Sequence, residues 1–272
     1  MTDIFSGSWV LITGASSGLG EEFARRLSAR KANLILSARS KDKLDALARE
    51  LAQAHGIDAR VVVQDLGKPG GAQALCSQVD ALKIPVDHLV SNAGYGSLSA
   101  FVESDPEWQA QMVRLNCEAL VSLSRHFLPK MAARRGGGII HLASVAGFLP
   151  LPYMTTYAAT KAFVLNFSAA LSAEVRGRGV RVMALCPGPV PTGFQKAAGI
   201  TLQKGERPAV LSAQETVRRG LAAYEARKDV YVPGVVNRLT TLAVKFAPRG
   251  LVVSALARVM ERGPARTRRS VP

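Results

Sequence analysis

Tyr157 and Lys161 stand four residues apart in the segment Tyr-Ala-Ala-Thr-Lys, and Ser144 precedes the tyrosine by thirteen residues. Residues four apart share one face of a helix, so this spacing holds a phenol beside an ammonium. A fixed cation stabilises a phenolate. We therefore expect Lys161 to lower the pKa of Tyr157 toward neutrality and to fit the tyrosine for acid–base chemistry. The alternative is a half-buried helix in which the two side chains are incidental.

The elements that must position these side chains alternate between apolar runs and amphipathic stretches. Strands covered on both faces are typically rich in Val, Ile and Leu, and such runs lie at 8–13, 33–38, 59–64, 86–91, 138–143, 180–186 and 229–232. Helices are predicted at 18–30, 41–55, 70–82, 106–134, 155–177 and 212–226. The repeated βα units predict an α/β Rossmann fold, a doubly wound parallel sheet of about seven strands with helices on both faces. Ligands bind beyond the carboxyl ends of such strands.

Length and cysteine content limit the organisation of the chain. Its 272 residues suit one domain, predicted over 1–261, followed by a polar, proline-containing and disordered tail at 262–272. No apolar run is long enough for a transmembrane helix, and the N-terminus lacks the features of a secretory signal. Cys76, Cys117 and Cys186 are widely spaced and have no nearby histidine ligands. They predict a reducing, cytoplasmic compartment and no metal site.

The net charge is +15, and its excess lies in the second half of the chain. Residues 1–136 hold 16 basic and 14 acidic side chains, whereas residues 137–272 hold 19 basic and 6 acidic ones. Such asymmetry marks surfaces for anionic lipid, nucleic acid or an acidic substrate, although scattered solvated cations are the commoner cause. No nucleic-acid recognition motif accompanies it, so we expect no nucleic-acid partner.

The first strand runs directly into the turn Gly14-Ala-Ser-Ser-Gly-Leu-Gly20 and then into a helix. Glycines at this junction let the backbone approach a pyrophosphate, which the helix N-terminus attracts, although a tight turn needs them equally. Arg39 follows the second strand, where a dinucleotide fold contacts the adenosine ribose. A carboxylate there would select NAD, whereas a cation suits the 2'-phosphate of NADP, so we predict NADP(H). The alternative for Arg39 is a solvated charge beside a helix.

Two further strand ends carry candidate cofactor contacts. Asp65 ends the third strand and either accepts a hydrogen bond from an adenine amino group or caps the following turn. The segment Asn92-Ala93-Gly94 ends the fourth strand with small residues that admit a cofactor close to the backbone. On its own, this segment is equally consistent with an ordinary turn.

Together these motifs resemble the short-chain dehydrogenase/reductase family in its classical type. The resemblance covers residues 8–192 and rests on Thr13-Gly14-x-x-x-Gly18-x-Gly20, Asn92-Ala93-Gly94, Asn116, Ser144, Tyr157-x-x-x-Lys161 and Pro187-Gly188. It implies a nicotinamide-dependent oxidoreductase, NADP-preferring because of Arg39. Beyond residue 192 the likeness is looser and points to a branch of uncharacterised bacterial members related to ketoacyl and hydroxysteroid reductases.

The resemblance implies a role for each catalytic candidate. Ser144 orients the substrate carbonyl, and Tyr157 donates the proton as hydride arrives. Lys161 acts on the tyrosine and on the nicotinamide ribose, and Asn116 holds a water that reloads the lysine. The implied cofactor contacts are Gly14, Ser16, Ser17, Gly18, Leu19, Gly20, Arg39, Asp65, Leu66, Asn92, Ala93, Gly94, Tyr157, Lys161, Pro187, Gly188, Val190 and Thr192.

The substrate side of the site is expected to be apolar. A mobile cover is expected at 193–211, and the predicted substrate-binding residues besides Ser144 are Tyr95, Phe148, Leu149, Tyr153 and Phe194. Apolar and aromatic side chains predominate, which favours a hydrophobic ketone or aldehyde, or the corresponding alcohol. The alternative function is a regulatory protein that binds a dinucleotide without turnover. Such a protein would lack part of the Ser, Tyr, Lys set, and this chain has all three.

Two regions have surfaces suited to partners. The two longest predicted helices carry more apolar residues than a sheet-facing stripe requires, and family members commonly pair them, so we expect a homodimer or homotetramer. The alternative is burial beneath their own sheet. Amphipathic helices are predicted at 235–261, with Leu239, Leu242 and Phe246 on one face. That face either contacts a membrane surface or, as the favoured alternative, walls the substrate pocket or the dimer interface.

Overall fold

The centre of the fold is a sheet of seven parallel strands in a computed structural model that describes residues 3–191 and 209–261. The strands are β1 (Trp9–Thr13), β2 (Asn33–Ala38), β3 (Ala59–Val63), β4 (His88–Ser91), β5 (Gly138–Leu142), β6 (Arg181–Leu185) and β7 (Val230–Tyr231). Their order across the sheet is β3-β2-β1-β4-β5-β6-β7. The doubly wound Rossmann-type sheet of seven strands predicted from the sequence is therefore confirmed.

Helices cover both faces of the sheet. They are α1 (Gly18–Ala29), α2 (Lys41–His55), α3 (Gly71–Ala81), α4 (Pro106–Val113), α5 (Ala119–Ala133), α6 (Thr155–Val175), α7 (Ala213–Glu225), α8 (Val235–Phe246) and α9 (Arg249–Glu261). The buried side chains of α1, α2 and α7 pack on one face, and those of α3, α5 and α6 pack on the other. The predicted cover at 193–211 falls mostly outside the described residues, as does the predicted tail at 262–272.

Alternation along the strands divides the apolar side chains between the two layers. Val10 and Ile12 of β1 pack with α1 and α2, whereas Leu11 between them packs with α3 and α5. Ile35 of β2 likewise faces the second layer, while Leu34 and Leu36 face the first. Successive strand residues point to opposite faces, so a continuous apolar run fills two cores at once. Burial of both faces leaves the strand ends as the place for polar chemistry.

The helix predicted at 106–134 is interrupted in the structure. Between α4 and α5 lies a π-helical turn over Arg114–Glu118, with Asn116 buried inside it. A π-turn carries one more residue per hydrogen-bonded ring than an α-helix and commonly marks functional sites. The predicted helix at 106–134 is thus confirmed over 106–133, with a π-turn inside it that side-chain periodicity alone does not reveal.

The inner face of α8 is polar. Asn237 and Thr241 are buried, while Leu239, Leu242 and Phe246 point outward and are exposed. Asn237 Nδ2 donates to the backbone oxygens of Pro233, at 2.9 Å, and Ala209, at 3.0 Å. The prediction that this face walls the substrate pocket is wrong for the described residues of a single chain, whereas its alternative place in a dimer interface stays a prediction.

Within 3–191 and 209–261, no helix is both long enough and apolar enough to traverse a bilayer.

Two buried histidines should make folding pH-dependent. His88 Nδ1 lies 2.9 Å from the Tyr224 hydroxyl, and His141 lies between Ser124 and Ser168 at 2.9 and 2.8 Å. Burial lowers the pKa of His88 to about 4 and that of His141 to about 3. Both rings are therefore neutral in the folded protein under conditions in which an unfolded histidine accepts a proton.

We expect the free energy of unfolding to fall as the pH drops below about 6.5, the pKa of an unfolded histidine. Only the unfolded state takes up the two protons in this range, so each histidine costs up to about 1.4 kcal/mol per pH unit. Urea unfolding at about pH 7, 6 and 5 measures the slope, above the range in which most carboxylates titrate. His141→Gln should reduce the slope by about half; an unchanged slope would contradict this assignment.

Asn237→Ala should lower the free energy of unfolding by about 1 to 3 kcal/mol, because two backbone acceptors lose a buried donor. The matched control is Asn166→Ala, since Asn166 also donates to a carbonyl four residues earlier, at 3.1 Å, but is exposed. The control should change stability by less than about 0.5 kcal/mol. Denaturant unfolding measures both variants, and equal losses would show that burial of Asn237 does not matter.

Candidate active site

Tyr157 and Lys161 lie on α6 and are both buried. Ser144 follows β5 and caps a 3-10 turn over Val145–Phe148, where its Oγ accepts from the Ala146 N–H at 3.1 Å. A side-chain hydrogen bond joins Ser144 to Tyr157. The structure therefore brings together the serine, tyrosine and lysine whose spacing suggested a site.

The electrostatics of this pair differ from the prediction. Burial raises the pKa of Tyr157 to about 12, and the hydrogen bond from Ser144 opposes that rise. Burial also lowers the pKa of Lys161 to about 8. The Lys161 ammonium donates to the Leu142 carbonyl at 2.7 Å and lies 5.8 Å from the centre of the Tyr157 ring. The expected lowering of the tyrosine pKa is thus wrong for this structure, because removal from water outweighs the hydrogen bond from Ser144.

Asn116 completes the polar group from the opposite side. Its Nδ2 donates to the Tyr95 carbonyl and to Thr160 Oγ1, each at 3.0 Å, while its Oδ1 accepts from the Tyr95 N–H at 3.2 Å. The π-turn aims this side chain at the segment after β4 and at α6. Asn116 therefore ties the β4 loop to the helix that carries Tyr157 and Lys161.

The glycine turn after β1 meets the segment after β4 where the strand order reverses. Gly14 has a φ of 66°, and a Cβ there would lie 2.9 Å from Asn92 Nδ2. Gly20 is tighter still, since its Cβ would lie 2.2 Å from the Gly14 oxygen. Asn92 Nδ2 donates to the backbone oxygens of Thr13, at 2.9 Å, and Gly14, at 3.2 Å. These contacts explain both glycines and the asparagine by close approach of two backbones at the reversal point.

The start of α1 and the Arg39 side chain could hold the phosphates of a dinucleotide. Ser17, the residue before the first turn, makes no side-chain cap to the helix, so the first N–H groups of α1 stay available to an anion. Ser16, Gly18 and Leu19 lie in the same turn. Arg39 is exposed at the end of β2, and none of the described residues forms an ion pair with it.

Asp65 and Leu66 follow β3 with different environments. Asp65 Oδ1 accepts from the Gly67 N–H at 2.9 Å, so it caps the turn, as the alternative in the sequence analysis anticipated. Leu66 is buried with α3. Ala93 and Gly94 lie in the segment that follows β4. A Cβ on Gly94 would lie 2.9 Å from Asn116 Oδ1. An adenine contact of Asp65 stays a prediction.

The Pro187-Gly188 segment is held by two neighbours. The Pro187 carbonyl accepts from the Val145 N–H at 3.0 Å, and a Cβ on Gly188 would lie 2.5 Å from Asn237 Nδ2. Sequence reasoning missed Asn237, because a single polar residue in an amphipathic helix gives no sign of backbone partners far along the chain. Val190 is buried. The predicted contacts Thr192 and Phe194 lie outside the described residues.

The predicted substrate residues fall into two apolar clusters. Tyr95 and Leu98 pack with Tyr157, Met112 and Met154, and Met260 of α9 joins the same cluster. Phe148 packs elsewhere, in a cluster that contains residues of α5 and α6. The Tyr95 hydroxyl donates to the Trp108 carbonyl at 2.7 Å, and burial raises its pKa above the usual range.

The end of α9 reaches the side of this site. The Tyr153 hydroxyl donates to Glu261 Oε1 at 3.2 Å, and Tyr153 itself has a φ of 64°. Leu149 lies at the end of the 3-10 turn that Ser144 caps. The methionines at the site were missed because Met fills irregular gaps without a fixed spacing.

Comparison with known proteins is consistent with this geometry. The model of the family described as short chain dehydrogenase matches residues 8–202. The very-long-chain 3-oxoacyl-CoA reductase of Neurospora crassa is 35% identical over 195 residues, which are 70% of this chain and 58% of that protein. This chain therefore spans less than two thirds of that relative's length. A very-long-chain 3-oxoacyl-CoA reductase-A of Danio rerio is 30% identical over 253 residues, 91% of this chain and 76% of that protein.

A solved structure agrees over nearly the whole chain. The short-chain dehydrogenase from Sphingobium yanoikuyae in complex with NADPH has a TM-score of 0.79 and 31% identity, covering 97% of this chain and 98% of that one. Its agreement extends beyond the segment that the family model matches. The sequence motifs, the sheet order and these similarities lead to one assignment: this chain belongs to the short-chain dehydrogenase/reductase family.

Proposed function

We propose that this protein is an NADP(H)-dependent oxidoreductase that interconverts a hydrophobic ketone or aldehyde and the corresponding alcohol. The observation that carries the proposal is the group formed by the buried side chains of Tyr157, Lys161 and Asn116 and the half-buried Ser144, which hydrogen bonds to the tyrosine. These four polar side chains come from three separate segments and meet at one point, which no simple structural need explains. General acid–base chemistry does explain them.

Tyr157 is the proton donor in the direction of reduction. Its raised pKa keeps the phenol protonated at neutral pH, which is the form that donation to a carbonyl oxygen requires. Ser144 hydrogen bonds to Tyr157 and holds a second hydroxyl at the same place, where it orients the carbonyl. When the phenol loses its proton, the same serine stabilises the phenolate, because hydrogen bonding to a charged form favours that form.

Lys161 and Asn116 support the tyrosine. Burial lowers the pKa of the ammonium to about 8, close enough to neutrality for Lys161 to release and regain a proton during turnover. Its positive form opposes the cost of a buried phenolate. Asn116 holds the β4 loop against α6 through Tyr95 and Thr160 and so fixes the distance between the lysine and the cofactor side of the site.

The residues around the reversal point suit a nicotinamide dinucleotide. The glycine turn and the uncapped start of α1 would hold the pyrophosphate, and Arg39 would hold the 2'-phosphate that distinguishes NADP from NAD. A bound nicotinamide supplies the hydride. The NADPH complex of the Sphingobium yanoikuyae relative supports this choice.

The substrate is a carbonyl compound with a long apolar part, and a 3-oxoacyl thioester is the class that we favour. The apolar cluster around Tyr157 includes Met112, Met154, Leu98 and Met260, and apolar surroundings of this kind suit an alkyl chain better than a sugar. The names of the Neurospora crassa and Danio rerio relatives support the same class. The bacterial branch suggested by the sequence stays a prediction.

The reaction is tested by mixing the purified protein with NADPH and a panel of aromatic ketones and 3-oxoacyl thioesters of increasing chain length. We expect NADPH consumption that becomes more efficient as the acyl chain lengthens. Binding of NADPH with no turnover of any member would favour the alternative, a regulatory dinucleotide-binding protein.

Oligomerisation and localisation stay proposals. Phe163 of α6 and Val113 of α4 are exposed, and Phe163 stacks on Phe167 with ring centres 5.8 Å apart. These side chains support a homodimer or homotetramer built on the predicted helices. None of the three cysteines forms a disulfide, which supports a reducing, cytoplasmic compartment.

Tyr157→Phe should lower turnover by at least about a hundredfold while leaving NADPH affinity nearly unchanged, because only the proton donor is removed. The matched control is Tyr231→Phe, which also removes one hydroxyl. The Tyr231 hydroxyl accepts a hydrogen bond from Arg238 at 3.2 Å, and Arg238 is not one of the four proposed catalytic residues. Steady-state kinetics and a fluorescence titration with NADPH measure both properties. Near-normal turnover of Tyr157→Phe would refute the mechanism.

Arg39→Ala should weaken NADPH binding far more than NADH binding. A charge-assisted hydrogen bond contributes about 1.5 to 3 kcal/mol, so the preference should move toward NADH by about ten- to a hundredfold. Arg60→Ala is the control, because Arg60 is an exposed cation on the neighbouring strand β3. Titration with both cofactors measures the shift, and equal weakening of the two would show that Arg39 acts on the fold.

A further inference from the structure

Helix α8 presents an apolar stripe to solvent. Val235, Leu239, Leu242 and Phe246 are 67%, 61%, 53% and 82% exposed, and their spacing places them on one side of the helix. The side that faces the protein holds Asn237 and Thr241, which are only 5% and 6% exposed. The usual amphipathic arrangement is therefore reversed.

Helix α9 begins three residues after α8 ends and also carries exposed apolar side chains. Leu251 and Val259 are exposed there, whereas Met260 packs with the cluster that contains Tyr157. We call the six exposed side chains the C-terminal apolar face: Val235, Leu239, Leu242, Phe246, Leu251 and Val259. Several large exposed apolar side chains on neighbouring helices mark an interaction site.

Basic residues occur along both helices that carry the C-terminal apolar face. Residues 235–261 contain four basic side chains and a single acidic one, a net charge of +3. In the described parts of the chain, no carboxylate forms a salt bridge with Arg238, Lys245, Arg249 or Arg258. The acidic residue, Glu261, is turned to the Tyr153 hydroxyl. The sequence adds four arginines after residue 261 and no acidic residue.

We propose that the C-terminal apolar face docks on the surface of an anionic lipid bilayer. Large apolar side chains on one face, accompanied by basic residues, are the composition of helices that lie in the membrane interface. The apolar side chains enter the acyl boundary while the cations meet the lipid phosphates. Neither α8 nor α9 crosses the bilayer, since they have 12 and 13 residues.

Charge selects a lipid surface over a second copy of this chain. A two-fold interface would place the face against its own copy, with the same basic residues on both sides. Like charges brought together at an interface cost free energy, whereas an anionic surface removes their repulsion. The charge of the basic residues beside the stripe is therefore complementary to phosphatidylserine headgroups and not to a second copy of the same face.

Docking would bring the active site close to the bilayer. Met260, on the inner side of α9, packs in the cluster that contains Tyr157, and Tyr153 hydrogen bonds to the last residue of the same helix. A hydrophobic substrate dissolved in the membrane then has a short path to the site. This consequence rests on the proposed function, whereas the docking itself does not.

The test is flotation of the full chain with vesicles of phosphatidylcholine and phosphatidylserine, and with vesicles of phosphatidylcholine alone. The wild-type protein should float with the anionic vesicles, and added salt should weaken this binding. The triple variant Leu239→Ser, Leu242→Ser, Phe246→Ser should reduce partitioning by at least about a hundredfold. The double variant Lys245→Gln, Arg249→Gln should reduce it by about thirtyfold. All five positions are exposed, so the fold is expected to survive.

The matched control is Phe101→Ser with Val102→Ser, which removes two exposed apolar side chains outside the C-terminal face. The control should float like the wild type. Failure of the wild type to float, or equal flotation of all variants, would overturn the proposal. A wild-type oligomer that the triple variant dissociates, without any vesicle binding, would identify a second copy as the occupant and would also overturn it. Because flotation requires no turnover, these outcomes are independent of the reaction assay.

Discussion

The layout of the site depends on burying one ammonium. Lys161 has almost no exposed surface, and its Nζ donates to the Leu142 carbonyl at the end of β5. Taking a charged amine out of water is costly unless hydrogen bonds replace the lost hydration. Burial therefore lowers the pKa of this lysine to about 8. The neighbouring Cys117 and Cys186 thiols are also buried, and their own burial raises their pKa values.

Several features that look independent follow from the space that Lys161 occupies. A Cβ on Gly94 would lie 3.5 Å from its Nζ, and a Cβ on Gly147 would lie 2.6 Å from its carbonyl oxygen. Both glycines let loops pass close to the helix that carries the lysine. The π-turn adds Asn116 from the third side. The proposed catalytic group thus depends on close approaches of the backbone, which the glycines around it permit.

The sequence predicted the sheet and most helices because their apolar periodicity is long and regular, as in β1 and β2. It also placed Tyr157 and Lys161 together, since spacing within one helix requires no tertiary information. It failed where three-dimensional burial decides the outcome. The pKa of Tyr157 depends on desolvation by residues distant in sequence, and no local pattern reports that cost. The π-turn at Asn116 depends on one extra residue in the helix, and an apolar pattern read over a whole helix does not reveal a single extra residue.

Helix α8 shows the limit of amphipathic patterns most clearly. The spacing of Leu239, Leu242 and Phe246 correctly indicates a helix with an apolar face, but it does not say which face meets the protein. Asn237 decides that question, because its amide donates to two backbone carbonyls and packs against Gly188. Specific hydrogen bonds hold the polar side inward, and no packing within the described residues compensates for the exposed leucines. The remaining hydrophobic free energy is then available only through contact with another apolar phase.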